Sequence, residues 1–193
     1  MRLILASASP RRAELLRAAG IDVDVRPADV DESVQPGEAP DRYASRVALA
    51  KARSISLEAP DRFVLGADTV VVVDDRILGK PTDSADARRM LRALSGRSHV
   101  VMTAVILIRG AGLRGEMLDA QVERTVVEFA PLTSHEIERY AATAEPMDKA
   151  GGYAIQGLAS RFVTRIEGSY SNVVGLPVSL VYGMCKKAGL LIS

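Results

Sequence analysis

Apolar runs of four or five residues alternate along this chain with amphipathic stretches of helical length, and that alternation is its strongest constraint on fold. Runs such as Leu3 to Ala6, Val70 to Val73 and Val105 to Ile108 are strand-sized and far short of the ~20 apolar residues of a membrane span. Strands alternating with helices argue for an α/β fold. At 193 residues the chain is expected to be a single domain, 1–193. With 48% hydrophobic and 25% charged residues, disorder is excluded.

The expected order runs as follows. Leu3 to Ala6 is a buried strand; Ser9 caps a helix begun by Pro10 and stopped by Gly20. Val23 to Val25 is a short strand, and an acidic loop runs from Asp29 to Pro40. A helix over about Asp41 to Leu57 carries Tyr43, Val47, Ala50 and Ser54 on one stripe. Phe63 to Ala67 and Thr69 to Val73 are strand segments separated by Asp68. A turn at Asp74 and Asp75 leads to Ile77 and Leu78, and Ser84 caps a helix closed by Gly96. Val100 to Ile108 and Val122 to Phe129 are strands joined across a Gly-rich connection near Gly110 to Gly115. A short helix starts at Ser134, and Glu145 to Gly152 is a loop. Tyr153 to Ile155 and Phe162 to Ile166 are strands, Asn172 to Pro177 is a turn, and a last helix runs to about Ala188.

Charge and cysteine use exclude several classes of partner. A formal net charge of +1 gives no reason to expect nucleic acid or an acidic membrane as partner. The single Cys185 cannot form an intrachain disulfide, which suits a reducing compartment. The start, MRLILASASPRR, does not have the layout of a signal peptide, so a soluble, cytoplasmic protein is expected.

Several stretches carry groups with chemistry. Ser7-Ala8-Ser9-Pro10-Arg11-Arg12 sits where a strand hands over to a helix, where free N–H groups and the helix dipole favour an anion. Arg11 and Arg12 add planar forks matched to phosphate oxygens, although an ordinary capped helix start with solvated arginines has the same sequence. Asp29, Asp31 and Glu32 make the loop acidic. Asp68 lies inside an apolar strand, where a carboxylate is costly unless a cation or donor satisfies it. The chain has 20 Arg but only five Lys, so a Lys at a special position hints that a compact ammonium is needed. Lys51 shares a helix face with Tyr43 and Val47, and Lys80 follows Gly79 and precedes Pro81. Gln156 precedes Gly157, and its amide offers both donor and acceptor to a base edge. Asp148 and Lys149 are adjacent and can pair. His99 and His135 lack ligand-like spacing and are read as structural.

The stretches LASASPRRAELL, VDES, LAKA, LGADTVV, LGKP, LSGRSHVVMTAV, DKAGGYAIQG and EGSYSNVVGLP, in this order, resemble the Maf family of nucleoside triphosphate pyrophosphatases. The resemblance runs from the first strand to the last helix. It implies an elongated mixed β-sheet flanked by helices, two lobes with a central cleft, and a fold related to inosine triphosphate pyrophosphatases. It further implies hydrolysis of a nucleoside triphosphate to monophosphate and pyrophosphate with Mg²⁺, or with Mn²⁺ or Co²⁺. SASPRR and DKAGGYAIQG look most like the branch acting on dTTP and UTP; the alternatives are the 7-methyl-GTP branch and a nucleotide-binding septation regulator. By that resemblance Ser7, Arg11, Arg12 and Gln156 bind substrate. Glu32, Lys51, Asp68 and Lys80 are catalytic, and Glu32 and Asp68 hold the metal. The family also suggests a homodimer.

Overall fold

The computed structural model describes residues 2–110 and 116–190. The expected Gly-rich connection, apart from Gly110, therefore lies outside the described residues. The sheet is mixed, with seven strands and helices between them, as expected for the α/β class. Strand β1 (Leu3–Ala6) is flanked by parallel partners on both sides, β2 (Val23–Val25) and β3 (Phe63–Val73). All four β1 residues are buried, which is why this strand reads as a continuous apolar run. The order continues from β3 through β5 (Ser98–Arg109) and β6 (Glu116–Phe129) to β7 (Val163–Glu167). The short β4 (Arg76–Leu78) folds back antiparallel on β3. The turn between them puts Asp74 and Asp75 at φ 49° and 59°, the left-handed pair that a tight hairpin needs.

The chain divides into two compact units. One comprises Met1–Asp68, Thr103–Glu123 and Gly175–Ser193; the other comprises Thr69–Met102 and Arg124–Val174. In the first, Leu3, Leu5, Leu16, Leu65, Leu107 and Val181 belong to one apolar core. In the second, Phe129, Tyr140, Tyr153 and Phe162 form a chain of edge-on and tilted ring contacts.

The helices are α1 (Pro10–Ala18), α2 (Pro40–Leu57), α3 (Ser84–Leu94), α4 (Ser134–Ala141), α5 (Tyr170–Val174) and α6 (Val178–Lys187). Five local expectations need correction. Phe63 to Val73 is one continuous strand, because Asp68 finds a cation and need not break it. The helix at 84 is capped by Asp83, whose carboxylate accepts from the Asp86 N–H, while the Ser84 hydroxyl donates to the Ala141 carbonyl. The Tyr153 to Ile155 stretch is not a strand: Gly151 and Gly152 at φ 72° and 68° turn the chain there, and Tyr153 is buried to meet His99. The first half of the expected turn from Asn172 to Pro177 belongs to α5, where the Asn172 N–H donates to Ser169 Oγ. The stripe of α2 also shifts: Tyr43, Ala44, Val47, Ala48, Lys51 and Ala52 are buried, whereas Ala50 and Ser54 are only half-buried.

One glycine sets how α2 meets the sheet. A Cβ on Gly66 would lie 2.2 Å from the Ala48 carbonyl oxygen and 2.8 Å from the Ala52 Cβ. The helix backbone thus rides directly on β3, with small residues four apart at the contact. Lys51 lies between those two alanines in sequence, and Asp68 lies two residues beyond Gly66.

Candidate active site

Five of the sequence-predicted residues come together in the first unit: Ser7, Arg12, Glu32, Lys51 and Asp68. The Lys51 Nζ is 2.8 Å from Asp68 Oδ1 and 2.8 Å from Glu32 Oε1. The Lys51 and Asp68 side chains are only 10% and 9% exposed, whereas Glu32 is 47% exposed. One compact cation therefore bridges a buried carboxylate and a solvated one. Lys51 points inward because α2 lies so close to β3; the usual snorkelling to water is not available from that face.

Arg12 closes the cluster from the other side. It is buried, its Nε donates to the Gly175 carbonyl at 2.8 Å, and its Nη1 donates to Ser7 Oγ at 3.0 Å and to the Ala67 carbonyl at 2.8 Å. The guanidinium thus ties the end of β1, the residue before Asp68 and the turn before α6. Ser7 Oγ also accepts from the Ser9 N–H at 3.2 Å. Ser9 itself makes no side-chain cap, although it holds the N-cap position of α1. Arg11 is half-buried on the same first turn.

The electrostatics follow from burial. Burial pushes the Asp68 carboxyl above its ordinary value, against the opposing pull of Lys51 and Arg12, and the nearby Glu32 charge adds to the rise. Burial lowers the Arg12 guanidinium, an effect that Asp68 and Glu32 counter. The Tyr43 phenol is pushed up to about 12 by burial and by the Asp68 and Glu32 charges.

Sequence reasoning placed Tyr43 on an apolar stripe and missed what its hydroxyl does. Tyr43 Oη donates to the Glu32 carbonyl at 2.8 Å. One turn on, Arg46 grips both oxygens of Glu38, at 2.7 and 2.8 Å, and donates to the Ser33 carbonyl. These contacts pin the acidic loop to α2. The available signal was position: Tyr43 lies on the buried face that carries Lys51, and half-buried Arg46 lies one turn on from it.

Lys80 and Gln156 belong to the second unit. Both are exposed, and neither side chain has a hydrogen-bond or ion-pair partner among the described residues. The anticipated pairing of Asp148 with Lys149 is present. His99 is structural, as read: its Nε2 is 2.8 Å from Tyr153 Oη and burial lowers its pKa to about 4.

Glu32 and Asp68 are the oxygen donors able to take a metal. Among the described residues no three His, Cys, Asp or Glu side chains are arranged to hold one unaided. Two carboxylates converging on one cationic centre suit a divalent cation, which is commonly held by one or two carboxylates together with substrate phosphates and water. No helix among the described residues is long and apolar enough to cross a membrane.

Comparison with known proteins gives the cluster a context. The family model described as Maf-like protein matches residues 2–188. A dTTP/UTP pyrophosphatase of Anaeromyxobacter dehalogenans is 54% identical over 188 residues, covering 97% of this chain and 94% of its own. One of Koribacter versatilis is 52% identical over 191 residues, covering 99% and 96%. A solved nucleoside-triphosphatase / dITP/XTP pyrophosphatase from Mycobacterium abscessus is 17% identical, with a TM-score of 0.48 over 97% of this chain and 98% of that one, too remote to carry weight.

Proposed function

This chain belongs to the Maf-like protein family, and on that premise we propose that it is a nucleoside triphosphate pyrophosphatase hydrolysing dTTP and UTP to the monophosphate and pyrophosphate. The observation that carries the chemistry is the Lys51 ammonium shared between Glu32 and Asp68, with Arg12 fixed beside Asp68. The relatives' names favour pyrimidine substrates over 7-methyl-GTP.

In this reading the reacting bond joins the α-phosphorus to the oxygen bridging to the β-phosphate. Asp68 orients a water and accepts its proton as the water oxygen bonds to phosphorus; the bridging bond breaks and its electrons leave with pyrophosphate. Lys51 and Lys80 neutralise the developing charge, and the first turn of α1, with Ser7, Arg11 and Arg12, receives phosphate oxygens. Positioning and electrostatic stabilisation carry most of the rate, as in other phosphoryl transfers. Gln156 presents its amide to the pyrimidine edge. Glu32 and Asp68 would hold a divalent cation, Mg²⁺ in this proposal, which when bound adds positive charge at the phosphates.

The test is to mix the protein with dTTP, UTP and 7-methyl-GTP in the presence of Mg²⁺ and to assay both pyrophosphate and orthophosphate. Pyrophosphate from dTTP and UTP is the expected result. Orthophosphate instead, or no release from any of them, overturns the reading.

A further inference from the structure

The segment that carries Gln156 is moulded around a single carboxylate. Glu145 Oε1 accepts from Tyr140 Oη at 2.8 Å and from the Ala159 N–H at 3.3 Å, and its Oε2 accepts from the Leu158 N–H at 3.0 Å. The Tyr140 hydroxyl in turn accepts from the Ala154 N–H at 3.2 Å. Backbone groups at 154, 158 and 159 are thus all referred, directly or through one phenol, to Glu145, and Gln156 sits at the centre of that span. The fit is steric as well as polar. A Cβ at Gly157 would lie 2.3 Å from Glu145 Oε2 and 2.5 Å from Oε1, so the residue after Gln156 has room only for hydrogen. Glu145 is anchored in its turn: Lys149 Nζ donates to its carbonyl at 2.9 Å and its own N–H donates to Thr143 Oγ1.

The segment needs such a mould. Its residues 155 to 157 form a turn with no sheet partner, so no ladder fixes their backbone. A glutamine amide can also flip, offering donor or acceptor at either end, and so can serve a uracil or a cytosine edge alike. Selectivity from such a group requires its carrier to be held in one place, so that only one edge fits against it. An ionised carboxylate accepts these three bonds most strongly; burial opposes that charge, but the Leu158, Tyr140 and Ala159 donors outweigh it and hold the group below its ordinary pKa.

We propose that Glu145 is a positioning residue for nucleobase selection: its carboxylate fixes the 154–159 segment and thereby the place from which Gln156 reads the base. This rests on the reading of Gln156 given above, and the experiment separates the two.

The nearly isosteric E145Q puts an NH₂ donor against one of the three donors it must accept, and it is compared with Q156A and wild type. The readouts are kcat and KM for UTP and CTP, with thermal melting to confirm folding. E145Q is expected to raise KM for UTP about tenfold with kcat little changed, the pattern of lost uniform binding. The UTP/CTP ratio of kcat/KM should fall by a similar factor. G157A should produce the same loss by displacing the carboxylate, and E145Q/G157A should be no worse than the poorer single variant, since both break one contact. If E145Q leaves the UTP/CTP ratio intact while Q156A collapses it, Glu145 is merely structural and the inference is overturned with the role of Gln156 standing. A fall in kcat at unchanged KM overturns it equally. If Q156A itself leaves the ratio unchanged, the reading of Gln156 fails, and the inference fails with it.

Discussion

Among the described residues, the buried polar side chains of the first unit include charged ones, whereas those of the second are all neutral. In the first, Arg12, Lys51 and Asp68 are all buried, and each is paired or hydrogen-bonded. In the second, the buried polar side chains include His99 and Asn172, and each leaves one atom, His99 Nδ1 and Asn172 Oδ1, without a hydrogen bond among the described residues. The difference follows from cost. An orphaned neutral acceptor costs about 1–3 kcal/mol, whereas an unpaired buried charge costs far more. A fold can leave a histidine nitrogen unmet, but it cannot leave Asp68 unmet. The first unit thus holds its buried charges against one another. The second unit keeps its functional candidates, Lys80 and Gln156, at the surface and spends its buried polar bonds on shaping the chain.

The sharpest way to break the contrast is to remove the buried charge. Asp68→Asn is expected to lower kcat by about 10³-fold or more while nucleotide binding survives, a general-base loss of the usual order or greater; single-turnover kinetics and equilibrium binding check it.

Next in size is Gly66→Ala. The added methyl has backbone on its near side, at 2.2 Å, and α2 must move off β3. The expected cost is about 3 kcal/mol or more. In chemical denaturation the midpoint should fall, and the surviving enzyme should lose activity because Lys51 no longer reaches Asp68.

The neutral cluster titrates instead. His99 has its pKa lowered by burial from 6.5 to about 4, so its neutral form is the one the fold accepts. Stability from this group is therefore complete above 6.5 and is lost as pH falls from 6.5 through about 4. The full loss is about 3 kcal/mol. Melting curves from pH 7 to pH 4 should show it, and His99→Gln should flatten the slope in that window.

The smallest effect is expected at the solvated edge of the first unit. Arg46→Ala releases Glu38 and the Ser33 carbonyl and slackens the loop bearing Glu32. An exposed pair is worth little, so kcat/KM should fall about threefold, and less in high salt. A loss as large as that of Asp68→Asn would show that the latch, and not the buried cluster, governs activity.

Much of the architecture was legible because short-range rules decide it. Pro10 at the first helical position, Gly20 at φ 76° after α1, and the apolar residues of α3 all fall where capping and periodicity put them. Capping bonds were less legible: Asp83 and Ser84 are both good caps, and only the path of the chain chose the first. Tyr153 to Ile155 misled because burial for ring packing and burial in a strand leave the same apolar mark.

The site was legible as a list and not as an arrangement. Asp68 in an apolar run, and lysines rare enough to notice, are sequence facts, and the motifs around them gave the family. That Lys51 points inward, that Arg12 spends its donors on Ser7, Ala67 and Gly175, and that Glu145 shapes the turn around Gln156 depended on backbones meeting across long stretches of chain. Composition and spacing determine which groups are present and which face of an element they occupy. Whether a charge is met by its opposite depends on distances of about 3 Å between segments far apart in sequence, and only close packing sets those distances.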